Sequence, residues 1–292
     1  MAQAPVTPEL EKAAKKAESR RGLLIGLPAF GYLILLFAIP LVLVFVYSFA
    51  SRSSTGQTLL QDWNFDSYKR IFTPLVGEIF FRSFVLATVT TVLCLVFSYP
   101  FAYYIATRRA AVRNVLLVLV MIPFWSNFLV RTYAWKVILG SEGFVSQISQ
   151  ALGGDPVRVL FTNTAVLIGL VYGFLPFMVL PLYAAIERLD WSLVEAARDL
   201  YAGGWTAFRR VTLPLSMPGV VAGSILVFIP ALGAYVTPAI LGGGRTTLIG
   251  DYIVSQFLTA RNWPFGSALS FAIMFVMLGA TVLYFRAGAK TL

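Results

Sequence analysis

Long apolar blocks alternate with short polar ones along this chain, and the blocks have the length of membrane-crossing helices. A bilayer span takes about 20 predominantly apolar residues. Six stretches meet that requirement: 23–49, 83–107, 114–135, 161–186, 211–235 and 267–285. The polar block ahead of the first, residues 1–22, is charged and alanine-rich. It reads as a frayed or surface-lying helix leading into the span. The apolar run that follows is too long for a cleavable signal peptide, and no small-residue cleavage site comes after it. No repeat of solenoid length is present. The pattern predicts an all-α, polytopic membrane protein, with a tail over 1–22 and one membrane domain over 23–292.

One polar block has a pattern of its own. Between the fourth and fifth spans the chain reads EAARDLYAGGWTAFRRVTLPLSMPGV over residues 195–220. Trp191, Val194, Ala197, Tyr201, Trp205 and Phe208 recur at steps of three or four, which predicts one apolar face of a helix. Asp190 is placed to cap its start, and Glu195 and Arg198 are spaced to attract each other. Gly203-Gly204 breaks the helix. A second short helix over 205–211 leads to Leu213-Pro214 and Pro218, which mark entry into the next span. Two readings fit this helix–turn–helix: an interfacial element lying on lipid, or a knob that docks in a groove of another protein. Two acids one turn apart, Glu195 and Asp199, suit the second better than an anionic lipid surface.

Composition narrows the class. Of 292 residues, 58% are hydrophobic and 12% charged, about half the charged share of an ordinary soluble domain. Histidine is absent and Cys94 is the one cysteine, so neither a disulfide framework nor a Cys/His metal site is available. Cys94 sits in an apolar run and reads as a small buried hydrophobe. The net charge of +10 follows topology. Six spans put both termini on one side, and fourteen of the 23 Lys and Arg fall there: the tail, Arg108, Arg109, Arg113, Arg188, Arg198, Arg209, Arg210, Arg286 and Lys290. Positive charge favours the cytoplasmic side, so both termini and the 190–210 loop are expected inside. Anionic lipid accounts for the basic balance, and no nucleic-acid partner is needed.

The chain carries no fuel chemistry of its own. It has no Gly-x-x-x-x-Gly-Lys-Ser/Thr loop. GGGRTT at 242–247 lacks the Lys and lies on the outer side, where it reads as a flexible turn before an amphipathic run over 251–258. The central thirds of the spans hold no Asp, Glu or His, the groups ion-coupled transporters need. Prolines at 40, 100, 123, 176, 181, 214, 218 and 230 interrupt several spans, which suits alternating access. Arg131, near the outer end of the third span, is a functional candidate because an intramembrane charge is costly; snorkelling to headgroups is the competing reading. Trp125, Asn127, Tyr133 and Trp135 neighbour it, and Tyr172 and Tyr235 precede prolines in later spans. Part of this aromatic set reads as an interfacial belt. Lining a path, the rings would attract an ammonium group. Arg131 would repel such a cargo; pairing with Asp155 or Asp251, a contact with an outer binding protein, or an anionic cargo are its alternative roles.

Glu195-Ala196-Ala197, followed by Leu213-Pro214, resembles the EAA motif of ABC-importer permeases. The sequence departs from the family at one point: Tyr201 stands where the family has glycine, and Gly203 and Gly204 follow. Residues 122–135 (IPFWSNFLVRTYAW), 163–181 (NTAVLIGLVYGFLPFMVLP), 227–243 (VFIPALGAYVTPAILGG) and 262–265 (NWPF) are similar to the spermidine/putrescine-type branch. The likeness implies a type I importer permease with its core over 80–288 and coupling helices over 190–210. It implies a non-catalytic subunit of the bacterial inner membrane. A second homologous permease, two ATP-binding subunits holding ATP and Mg, and an extracytoplasmic solute-binding protein would complete the machine. It implies polyamine cargo, although residues 227–243 bear no acid; opines, amino-acid derivatives and aminophosphonates are the alternative cargoes. Outside that class, an ion-coupled secondary transporter is the rival.

Overall fold

The computed structural model describes residues 8–53 and 56–288. The apolar blocks become helices because a spanning segment has to satisfy its backbone internally. In order they are α1 (Pro8–Ser48), α2 (Asp66–Ile71), α3 (Pro74–Ala106), α4 (Ala110–Trp125), α5 (Phe128–Ile138), α6 (Phe144–Ala151), α7 (Asn163–Glu187), α8 (Trp191–Asp199), α9 (Gly204–Ala207), α10 (Leu213–Leu232), α11 (Val236–Leu241), α12 (Ile249–Leu258) and α13 (Trp263–Gly288). A small antiparallel hairpin, β1 (Ser51–Arg52) and β2 (Thr58–Leu59), follows α1 with Ser51 opposite Leu59. The first helix begins in the polar tail, at Pro8, and runs unbroken into the first span. Residues 1–7 and 289–292 lie outside the described residues.

Among the described residues, five helical stretches are long and apolar enough to cross a membrane: Gly26–Ser48, Pro74–Ala106, Asn163–Glu187, Gly204–Leu232 and Trp263–Val282. The third predicted span, 114–135, is not one helix. α4 and α5 meet at an 88° bend. Ser126 and Asn127 are extended there; the Asn127 side chain caps α5 by accepting from the Leu129 N–H at 2.8 Å, and Ser126 Oγ donates to the Pro123 carbonyl at 2.7 Å. Sixteen residues of α4 reach about 24 Å, short of a hydrocarbon core of about 30 Å. Only taken together does the bent pair have the length and apolarity of a sixth crossing.

α3, α7 and α10 pack on one another as the centre of the bundle. Small residues let two of them approach. A Cβ on Gly219 of α10 would lie 2.5 Å from the Ala185 Cβ and 2.7 Å from the Pro181 carbonyl of α7; one on Gly223 would lie 2.6 Å from Met178 Sδ. This is the small-residue packing that membrane helices use where lipid supplies no hydrophobic drive. Cys94 is fully buried in this core. Tyr99 of α3 and Ser216 of α10 share a buried 2.7 Å hydrogen bond. Tyr99→Phe is expected to lower the stability of the detergent-solubilised chain by about 1 kcal/mol, read as a lower thermal unfolding midpoint; an unchanged midpoint would show that this bond holds nothing.

α1 packs along α13, which also meets α2 and α12. At the end of the bundle away from α8, the Leu160 N–H bonds the Leu139 carbonyl at 3.2 Å and the Phe161 N–H bonds the Leu241 carbonyl at 2.9 Å. These bonds tie α5, the entry to α7 and α11 together. GGGRTT is a turn held by the Arg245 N–H on the Gly242 carbonyl, with Gly243 and Gly244 at positive φ. The amphipathic run after it is α12, as its pattern predicts.

Candidate functional site

The 190–210 block folds as two short helices at one end of the bundle. Asp190 caps α8: its carboxylate accepts from the Ser192 N–H at 3.0 Å, and the Ser192 side chain and amide hold its carboxyl below the usual range. Because that pKa is lowered in the fold, the cap is intact above the carboxylate range and is lost as pH falls through it. α8 ends in a Schellman arrangement. The Tyr201 N–H bonds the Arg198 carbonyl at 2.9 Å and the Ala202 N–H bonds the Ala197 carbonyl at 3.1 Å. That closure puts Tyr201 at φ 62°, the left-handed region that costs a side-chain-bearing residue about 1–2 kcal/mol. Tyr201, which stands where the EAA resemblance has glycine, thus takes a conformation that glycine adopts freely.

The predicted apolar face is only partly inward. Of its six residues Val194 is buried and Trp191, Ala197 and Phe208 half-buried, whereas Tyr201 is 99% and Trp205 72% exposed. The turn at 200–203 resets the helical phase, so a wheel drawn across it misplaces both rings. Glu195, Ala196 and Asp199 are exposed on α8. Glu195 and Arg198 do not pair: among the described residues the ion pairs are Lys69–Asp66, Arg82–Glu78 and Arg113–Glu187. The knob therefore presents two unpaired carboxylates one turn apart beside Leu200, Tyr201 and Trp205.

The knob is bolted to the bundle through two rings of α3, Tyr99 and Tyr103, that the sequence reading does not single out. Trp191 meets Tyr103 edge-on at 5.8 Å, and Phe208 meets Tyr99 at 5.3 Å. Tyr99 and Tyr103 stand four apart on α3, a spacing visible in the sequence without its partners. Gly203-Gly204 is not the break that the sequence predicts: α8 ends at Asp199 and turns at Tyr201, Gly203 is the N-cap of α9 and Gly204 opens it, and the second short helix is not separate. α9 continues through a π-helical turn, Phe208–Thr212, into α10. Pro214 has no N–H to give the Arg210 carbonyl, and the Leu213 N–H reaches back to the Phe208 carbonyl instead. Leu213-Pro214 thus widens the helix where knob becomes span. Tyr99, Tyr103, Tyr104, Arg108, Trp205 and Phe208 border a recess of about 470 Å³ there.

The predicted pathway set separates. Arg131, Trp135 and Tyr172 share one small recess with Phe128, Thr132 and Gly169, and the Trp135 and Tyr172 rings meet at 5.4 Å. Arg131 pairs with neither Asp155 nor Asp251. Its guanidinium lies 5.2 Å from the Phe124 ring and 5.8 Å from the Phe128 ring, across the α4–α5 bend. Its Nε and Nη1 are buried with no hydrogen-bond partner among the described residues. Asn127 is spent on the α5 cap, and Trp125 and Tyr133 point outward. Tyr235 belongs elsewhere, bordering a cavity of about 530 Å³ with Gly233, Ile249 and Gly250. Asp251 lies in the first turn of α12, half-buried, and burial pushes its carboxyl up.

Comparison with known proteins bears on both regions. Residues 98–288 match the family described as binding-protein-dependent transport system inner membrane component. The chain is 42% identical over 260 residues to the spermidine/putrescine transport system permease protein PotB of Haemophilus influenzae, covering 88% of this chain and 91% of that one. It is 41% identical over 259 residues to PotB of Escherichia coli K12, covering 88% and 94%. In fold it is similar to a chain of the bacterial alginate ABC transporter in complex with its alginate pentasaccharide-bound periplasmic protein, with TM-score 0.70, 18% identity and coverage of 94% and 95%.

Proposed function

We propose, from the premise that this chain belongs to the binding-protein-dependent transport system inner membrane component family, that it forms half of the path by which a polyamine enters the cell. The chain is an ABC-importer permease of the inner membrane. The observation that carries the cargo is the 41–42% identity, over most of both chains, to spermidine/putrescine permeases. In this reading both termini and the α8–α9 knob face the cytoplasm, a second permease completes the path, lipid surrounds both, and a binding protein delivers cargo from outside. Two ATPase subunits holding ATP and Mg grip the knobs. Their motion reaches α3 through Trp191–Tyr103 and Phe208–Tyr99, and α10 through the π-helical turn. Glu195, Ala196, Ala197, Asp199, Tyr201, Gly203, Gly204, Leu213 and Pro214 serve that coupling. The recess around Arg131, Trp135 and Tyr172 borders the path.

One observation favours a second cargo reading. The unpaired nitrogens of Arg131 suit a carboxylate or phosphonate better than a polyamine. Uptake into proteoliposomes of the full transporter, loaded inside with ATP, separates the two. Labelled spermidine or putrescine is expected to accumulate only with internal ATP and the binding protein. Accumulation of neither, together with no heat of binding of either to the binding protein, would reject the polyamine. Accumulation that survives without ATP and collapses with the ion gradient would reject the importer class.

A further inference from the structure

The left-handed backbone of Tyr201 is used by the α8 cap, whose two bonds need it, but its side chain, which makes that conformation costly, is repaid by no contact among the described residues. Three non-glycine residues among those described have positive φ: Phe161, Tyr201 and Arg261. Phe161 spends its conformation on packing, with its ring against Gly243. The Tyr201 ring is 99% exposed and makes no aromatic or hydrogen-bond contact among the described residues. Glycine adopts this conformation freely, and strained residues of this kind cluster where a site uses them. The two Schellman bonds fix the direction of the Cα–Cβ bond, so the ring is a pre-aimed projection. Leu200, 82% exposed, and Trp205 stand beside it. Tyrosine and tryptophan are enriched among the few residues that carry most of an interface's binding energy.

We infer that Tyr201 is the residue by which this permease selects its own ATPase subunit, inserting its ring into an apolar pocket of that subunit's groove. The inference rests on the docking role proposed above for α8–α9 and adds the partner's feature: a ring-sized pocket beside basic groups that answer Glu195 and Asp199. Those two exposed carboxylates suit a protein groove, whereas the neighbouring exposed Arg198, Arg209 and Arg210 suit an anionic lipid surface; the labelling experiment separates the two.

The test uses the assembled transporter in lipid nanodiscs. Tyr201→Cys places a thiol on the turn, and Cys94 is buried. A water-soluble maleimide is expected to label this thiol at least tenfold more slowly once the ATPase subunits are bound, read by the mass of this chain. Tyr201→Gly is expected to weaken ATPase-subunit retention at least tenfold while its thermal midpoint stays at or above wild type; Tyr201→Phe is expected to keep retention. Equal, fast labelling in both states overturns the inference. Slow labelling even without ATPase subunits assigns the ring to lipid and also overturns it, as does wild-type retention in Tyr201→Gly. Glu195→Lys judges the docking role separately. If it releases the ATPase and Tyr201→Gly does not, the ring's role fails and docking stands; if neither releases it, both fail.

Discussion

Glu195→Lys is expected to leave the permease inserted and folded while cutting the ATPase stimulation produced by loaded binding protein about a hundredfold. The carboxylate is exposed and takes part in none of the described ion pairs. Lysine is as good a helix former as glutamate, and the Trp191–Tyr103 contact that holds α8 to the bundle is untouched. The substitution therefore changes little within the chain. Across a docked interface it reverses a charge, and losing one partner of a close charge pair costs about 3 kcal/mol, which is about a hundredfold. The assay is ATP hydrolysis by reconstituted transporter with and without loaded binding protein, alongside size-exclusion of the permease. Wild-type stimulation by the mutant would contradict the coupling role of α8.

Gly219→Val is expected to produce the largest loss of folded protein. The α7 surface it meets is backbone and a short side chain: the Pro181 carbonyl, the Leu182 Cα and the Ala185 Cβ. None of these swings aside, so α7 and α10 have to separate. Overpacking a tight contact costs about 1–3 kcal/mol, and parting these helices also opens the core that holds Met178, Leu182 and Val227. Gly77 of α3 is the internal control, because a Cβ there meets nothing within 4 Å. Gly77→Ala should match or exceed wild type, since alanine is the better helix former. Fluorescence-detected size-exclusion after heating reads both. A monodisperse, heat-stable Gly219→Val would show that α7 and α10 do not pack this closely.

The membrane architecture was legible because span length is set by the bilayer and written directly in apolar runs. α3 begins nine residues before its predicted start at 83: Glu78 and Arg82 lower the local hydropathy, yet their 2.8 Å i,i+4 pair and Pro74 at the first helical position support helix there. The α4–α5 break was missed although Pro123 and Asn127 announce it, because Phe124, Trp125, Phe128 and Leu129 keep the stretch apolar on average. Asp190 and Leu213-Pro214 were readable as local signals, and each acts locally; Gly203-Gly204 starts α9 instead of ending α8, which closes at Tyr201. The partners of Arg131 were not readable. Charge complementarity suggested acids, but the bend brings Phe124 and Phe128 over the guanidinium, and that depends on the 88° turn. Tyr201 and Trp205 were misassigned for the related reason that helical periodicity does not survive a turn.

The central claim is that an ATPase subunit grips α8 from the cytoplasm and moves the spans through it. Ala196, exposed on α8 between the residues that seat it, is the position to test. With Ala196→Cys and cysteines scanned along the ATPase groove, oxidation requires Cβ atoms within about 4.5 Å. The account predicts a disulfide adduct between the two subunits that halts ATP-driven uptake and releases it on reduction. No adduct at any scanned position, or labelling of Ala196→Cys by an impermeant thiol reagent added only outside intact cells, would contradict it.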